Sequence, residues 1–211
     1  MIQDRLPLLL FAKAPIAGKV KTRLQSHCSA EQASQIAEVL LEESIIQATK
    51  YWPGKVFLSV ALDSEHPFLK RMCAQYSVDL VVQCAGDLGD KMSGAFESFG
   101  YPAAIMGCDA PHITGQDLLR AYHLLGENKP VLGPSDDGGY YFIGLSDSCP
   151  DLFNNIDWGT SSVLSTTLAL ASRRSLSFSM LEPLNDVDEW DDLLAVAKKI
   201  PNLNAVIPHS N

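Results

Sequence analysis

Short apolar runs of strand length recur along the chain at 6–11, 56–62, 80–83, 103–108, 131–133, 140–145 and 176–181, with helix-patterned segments between most of them. This alternation constrains the fold more than any other feature, because strands separated by helical crossovers assemble into a parallel sheet. The clearest helical segment is 29–50, where Ala33, Ile36, Ala37, Leu40, Leu41, Ile45 and Ala48 share one face and Ser29 with Gln32 forms a capping box. Further helices are expected near 64–75, 90–98, 114–125, 160–172 and 188–199. The first and fourth runs are apolar at every position rather than every second one, the pattern of strands covered on both faces. The runs at 131–133 and 140–145 lie too close for a crossover helix, so one of them is expected to run antiparallel. The expected fold is a three-layer α/β/α arrangement around a mostly parallel twisted sheet with one antiparallel strand.

Composition agrees with one globular domain over residues 1–211: the chain is 46% apolar and 19% charged, with no low-complexity tract or linker. Its 16 Lys plus Arg against 25 Asp plus Glu give a net charge of −9, which argues against a nucleic-acid surface. Five cysteines without a CxxC pair suit reduced thiols, and no apolar stretch approaches membrane-spanning length. The apolar run after Arg5 imitates a signal peptide, but Asp4 precedes it and Lys13, Lys19, Lys21 and Arg23 follow, so it reads as a buried first strand. The expected setting is cytoplasmic, with small-molecule partners, no nucleic acid and no membrane.

In open α/β sheets, ligands bind outside the carboxyl ends of the strands. The loop there after the first strand, within FAKAPIAGKVKTRL, holds four of the sixteen basic residues in the eleven positions from Lys13 to Arg23. An even spread would place fewer than one. Such a concentration in an acidic protein points to phosphate, with Pro15 stiffening the loop and Gly18 allowing close backbone approach. A P-loop is disfavoured, because Lys13 and Val20 stand where that motif needs Gly and Ser or Thr. A solvated cationic loop is the competing reading.

Acidic residues mark the other side. The fourth strand runs into Asp109, followed by Ala110 and Pro111; Thr114 with Asp117 supplies the next helix cap, leaving Asp109 free to bind a divalent metal or a structural hydrogen bond. NDVDEWDDL carries five acids in positions 186–192; Asp188 with Asp191 resembles a helix cap, and either Asp186 or Asp188 is a second metal-ligand candidate. GPSDDGGYYFIGL suits a hairpin, yet Asp137 and the Tyr140 and Tyr141 rings also suit a sugar or nucleotide site. GDLGDKM and IDWGTSS are weaker signals of the same kind, and Trp158 is either a ligand platform or a partly buried core side chain. No G-x-S-x-G, H-E-x-x-H or G-x-G-x-x-G string occurs.

The strings FAKAPIAGKVKTRL, GDLGDKM, MGCDAP, GPSDDGGYYFIGL, IDWGTSSV and NDVDEWDDL resemble the GT-A superfamily of nucleotide-diphospho-sugar transferases, and within it the radical-SAM/selenodomain-associated transferase 1 family. The resemblance implies Lys13, Lys21 and Arg23 for nucleotide phosphates, and Asp109 with Asp186 or Asp188 for Mg²⁺ or Mn²⁺; Ala14, Pro15, Gly18 and Asp87 are further phosphate-site candidates in the same strings. It implies Asp137 with Gly138 and Gly139 for the transferred or accepting group; Tyr140 and Trp158 are further substrate-site candidates, and Asp109, Lys21, Arg23 and Asp137 are the candidate catalytic set. Many GT-A glycosyltransferases carry a D-x-D pair, whereas Asp109 here precedes Ala110 and Pro111, closer to the nucleotidyltransferase branch. Glycosyl transfer from a nucleotide sugar to a small acceptor is the first expectation. Nucleotidyl transfer from a nucleoside triphosphate is the alternative, and a non-catalytic nucleotide-binding protein is the reading from another class. The sequence assigns no oligomeric state.

Overall fold

The structure is a computed structural model that describes residues 6–61 and 63–208. Seven strands form one sheet in the order β3-β2-β1-β4-β6-β5-β7. In chain order they are β1 (Leu8–Lys13), β2 (Val56–Ala61), β3 (Asp79–Val82), β4 (Ala103–Gly107), β5 (Val131–Pro134), β6 (Tyr140–Leu145) and β7 (Ser179–Met180). β6 pairs antiparallel with both β4 and β5 and every other pairing is parallel, as the spacing predicts. Leu62, the end of the second predicted strand, and Asp4 and Arg5 lie outside the described residues. The helices are α1 (Ala30–Tyr51), α2 (Pro67–Tyr76), α3 (Leu88–Phe99), α4 (Gly115–Gly126), α5 (Val163–Arg173) and α6 (Trp190–Ala197). No helix among the described residues is long and apolar enough to cross a membrane.

Alternating side chains explain the continuous apolar runs. Leu8 and Leu10 of β1, with Ala104 and Met106 of β4, face α1, α2 and α4, while Leu9, Ala103 and Ile105 face α3 and α5. Each such fully buried Leu or Ile contributes roughly 1.5–3 kcal/mol, so both faces of the central strands must be covered. The Ser29 cap forms with Gln32, and Asp117 N–H donates to Thr114 Oγ1 at 3.1 Å.

Two predicted elements shrink. The strand expected at 176–181 pairs only at Ser179–Met180, because Leu176 N–H donates to Ala171 O and closes the end of α5, while Leu176 and Phe178 pack into the core beside it. The last helix begins at Trp190, and the cap falls at Glu189, whose N–H donates to Asp192 Oδ2 at 2.9 Å, rather than at Asp188 with Asp191. This one-residue shift leaves Asp188 free for other partners.

A third apolar cluster orients the site. Leu24, from the 3₁₀ turn Thr22–Ser26, packs with Ile36 and Leu40 of α1, Val187, and Leu193 and Val196 of α6. Leu24 and Val187 are fully buried. Burying these two anchors against the same helices brings the basic loop against the acidic segment, although more than 160 residues separate them in sequence.

Candidate active site

A cleft of about 650 Å³ opens at the carboxyl ends of β1, β2 and β4, within the usual range for small-molecule sites. Lys13, Lys21, Arg23, Asp109, Asp186 and Asp188 all line it, as does the Tyr140 ring. β6 contributes Tyr140 from its amino end because it runs opposite to its neighbours.

Lys21 occupies the centre. Its Nζ donates to Asp109 Oδ1 at 2.5 Å and to the Val187 carbonyl at 2.6 Å, and it lies 3.6 Å from Asp188 Oδ1. Only 8% of the side chain is exposed. Burial opposes its charge, but the Asp109 carboxylate, with Asp188 and Asp186 beyond it, outweighs burial and holds the ammonium above its ordinary range. The Lys21 backbone is left-handed, with φ 45° and ψ 41°, an uncommon conformation for a residue with a side chain. Arg23 is more exposed and pairs through Nη1 with Asp188 Oδ2 at 3.3 Å.

Asp186 differs from its neighbours. Its Oδ1 is buried without a hydrogen-bond partner, and burial, reinforced by the charges of Asp109, Asp137 and Asp188, pushes its carboxyl up to about 7. The folded state therefore binds its proton more tightly than the unfolded chain, where an aspartate titrates near 3.8. Stability should fall as pH rises from about 4 through about 7, since the unfolded chain releases that proton first. In metal-free buffer, Asp186→Asn is expected to flatten this part of the profile, matching wild type near pH 4 and melting higher at pH 8. Parallel melting curves across that range would remove Asp186 as the source.

Among the described residues, no set of three or more His, Cys, Asp or Glu side chains is arranged to hold a metal ion. The oxygens of Asp109 and Val187 converge instead on the Lys21 ammonium. The donor chemistry nevertheless suits Mg²⁺ or Mn²⁺: carboxylate and carbonyl oxygens, with the buried Asp186 Oδ1 lacking any partner.

Tyr141 also lines the cleft, whereas Ala14, Pro15, Gly18, Asp87, Asp137, Gly138, Gly139 and Trp158 do not. Ala14 is fully buried, and the Pro15 carbonyl accepts from Ser34 Oγ at 2.5 Å, so both anchor the loop to the body of the fold. Gly18 has φ +77° in a turn closed by Lys19 N–H to Ile16 O, and open space surrounds the place its Cβ would take. Its need for glycine is conformational rather than one of close approach. Asp87 caps α3, with its Oδ1 accepting from Asp90 N–H at 2.9 Å. Asp137 Oδ1 accepts from Ser135 Oγ at 2.5 Å and Gly139 N–H at 2.9 Å, shaping the hairpin turn while its charge still reaches Asp186. Gly138 and Gly139 complete that turn.

The tyrosine hydroxyls are not offered to the cleft. That of Tyr140 is buried beside Thr167, and that of Tyr141 donates to Glu182 O at 2.9 Å. Trp158 packs edge-on against Tyr140 at 6.5 Å and lies under α3 at Gly89, partly buried against the core on that face of the sheet. Lys91 of α3, in GDLGDKM, and Gln83 beyond β3 line the cleft without having been singled out in the sequence, and Lys19, counted there only in the charge of the basic loop, lines it too. Only the tertiary fold brings Lys91 into the same cleft as the basic loop.

The layers, strand order and cleft define a GT-A-like fold, that of the nucleotide-diphospho-sugar transferases. Residues 45–160 match the family described as "Uncharacterized protein conserved in bacteria (DUF2064)", and the chain belongs to that family. No curated protein matches it. Among solved structures it resembles a provisionally named nucleotide-diphospho-sugar transferase from Desulfovibrio desulfuricans G20, at 26% identity and TM-score 0.82, with 97% of each chain covered. It also resembles Rv0371c from Mycobacterium tuberculosis H37Rv in complex with manganese, at 15% identity and TM-score 0.58, covering 92% of this chain and 98% of that one. A cytidylyltransferase from Leptospira borgpetersenii serovar Hardjo-bovis (strain JB197) matches at 11% identity and TM-score 0.54, with 99% of each chain covered. The last two likenesses are likenesses of fold.

Proposed function

We propose that residues 1–211 form one metal-dependent transferase domain acting on a nucleotide-activated donor, with glycosyl transfer to a small acceptor as the reaction. The observation that carries this reading is the convergence of Lys21, Arg23, Asp109 and Asp188 in one cleft, contacts bridging 88 to 166 residues of sequence. The resemblance to the Desulfovibrio protein supports the same reaction class. The motifs running from FAKAP to NDVDEWDDL support a place among the radical-SAM/selenodomain-associated transferases.

Asp109 and Asp188, with Asp186 beside them, are the residues that would hold Mg²⁺ or Mn²⁺, and such an ion would neutralise charge on the departing phosphates. Arg23 and Lys21 supply donors for phosphate oxygens, the Arg guanidinium in a two-pronged geometry and the Lys ammonium as a point charge. Lys13, Lys19 and Lys91 raise the positive field of the cleft around them. Because charge builds on the leaving group, preorganised cations are where these side chains lower the barrier.

Nucleotidyl transfer is the second reading, favoured by one observation: five cationic side chains, Lys13, Lys19, Lys21, Arg23 and Lys91, line the cleft, a number suited to a triphosphate. A thermal-shift panel of nucleoside triphosphates and nucleotide sugars, with and without Mg²⁺ or Mn²⁺, separates the two. A cognate ligand at ~100 times its Kd should stabilise the fold by ~2.7 kcal/mol. Stronger response to nucleotide sugars supports glycosyl transfer, and stronger response to triphosphates supports nucleotidyl transfer. No shift with any nucleotide would overturn both.

A further inference from the structure

Lys21 is held where its charge is hardest to reconcile with a neighbouring divalent ion. An ammonium has three donors, and the oxygens nearest to this one are Asp109 Oδ1 at 2.5 Å, Val187 O at 2.6 Å and Asp188 Oδ1 at 3.6 Å. These are hard oxygens of the kind Mg²⁺ and Mn²⁺ prefer. The ammonium thus satisfies the carboxylates that the proposed reading needs for metal, and a divalent cation drawn to the same oxygens would be repelled by a positive charge held that close. Its own backbone stands in the left-handed region, locked by Leu24 N–H donating to Lys21 O at 3.0 Å and by the full burial of Leu24. Strained backbone held by surrounding packing clusters at active sites, ligand clamps and switch regions.

We propose that Lys21 is a counter-cation latch. Without ligand its ammonium closes the Asp109–Asp188 pair, and it yields those oxygens to a divalent cation when nucleotide phosphates offer it another partner. Metal and nucleotide then bind cooperatively through this side chain, and metal alone binds poorly. The inference rests on the proposed reading that a metal-bound polyphosphate occupies the cleft. It adds that Lys21 opposes the metal in the free protein, beyond any contact it makes with phosphate.

The test is a Mn²⁺ titration of the full chain without nucleotide, following the EPR signal of free Mn²⁺. Lys21→Met keeps much of the side-chain volume and removes the charge; it is expected to bind Mn²⁺ at least tenfold more tightly than wild type. Lys21→Gln retains a donor without the charge, guards against a folding defect in the first variant, and should also bind more tightly. Lys21→Arg keeps the charge and should bind no more tightly than wild type. A merely structural lysine would weaken or leave unchanged the metal affinity in all three. Unchanged or weaker Mn²⁺ binding by Lys21→Met and Lys21→Gln, with circular dichroism like that of wild type, overturns the latch. Absence of Mn²⁺ binding by wild type and both uncharged variants overturns it too. In either case the transferase reading stands or falls separately, on the nucleotide thermal-shift panel.

Discussion

Asp109→Ala is expected to lower metal-dependent turnover about a hundredfold or more, on the order of 3 kcal/mol of transition-state stabilisation. The side chain stands at the carboxyl end of β4, is more than half exposed to the cleft, and accepts the shortest contact that Lys21 makes. Its loss removes a metal-ligand candidate and also releases Lys21 from the position that the buried backbone of Val187 and the Asp109 carboxylate define. Nucleotide affinity measured without metal should not fall, because Arg23, Lys13, Lys19 and Lys91 remain in the cleft and Lys21 loses a competing partner. Steady-state turnover and metal-free nucleotide titration of the same preparation therefore make a paired measurement. Wild-type-like turnover would take Asp109 out of the mechanism and leave it as a structural acceptor for Lys21.

The fold was legible because the determining signals are local. Continuous apolar runs at β1 and β4 meant two covered faces, and the short interval between β5 and β6 meant an antiparallel neighbour. Periodicity also located all six helices to within a few residues. The site was legible only as two halves. Charge density marked the loop from Lys13 to Arg23, and leftover acids marked Asp109, Asp186 and Asp188. Their meeting depends on Leu24 and Val187 packing into one cluster with α1 and α6, which no local pattern reports.

The ambiguity of the remaining candidates has the same origin. Asp87, Asp137 and Pro15 belong to motifs that read as ligand loops; in the structure an Asp137 oxygen accepts within its own turn, Asp87 caps α3, and the Pro15 carbonyl accepts from Ser34 of α1. Asp and Gly are favoured both in tight turns and beside phosphates, so the residue types alone do not separate the uses. Asp188 was obscured by a plausible cap one residue out of register. With Glu189 in that role, Asp188 is free to face Lys21 and Arg23. Lys91 lies in GDLGDKM, but nothing local to that string places it in the same cleft as the loop from Lys13 to Arg23.

Gly138→Val tests whether the turn after β5 supports the cleft or merely borders it. Gly138 has φ +91°, a conformation that a β-branched residue adopts only under strain, and an added Cβ would stand 2.3 Å from Ser161 O and 2.7 Å from Ser161 Cα. Both neighbours are backbone and cannot rotate aside. The Gly138 carbonyl also accepts from Leu164 N–H at 2.8 Å, tying the hairpin to the first turn of α5. Backbone strain and overpacking each cost about 1–3 kcal/mol, so a loss of about 3 kcal/mol or more is expected, read as a lower urea midpoint at unchanged slope. Gly18→Ala is the internal comparison: its φ is also positive, at +77°, but nothing lies within 4 Å of the added atom, so strain alone should cost about 1 kcal/mol. Because Asp137 precedes Gly138 and its charge acts on Asp186, displacement of the turn should also lower the pH at which Asp186 titrates. Equal costs for the two glycine substitutions would mean that the Ser161 contact contributes nothing and that the hairpin can move freely without disturbing the acidic wall of the cleft.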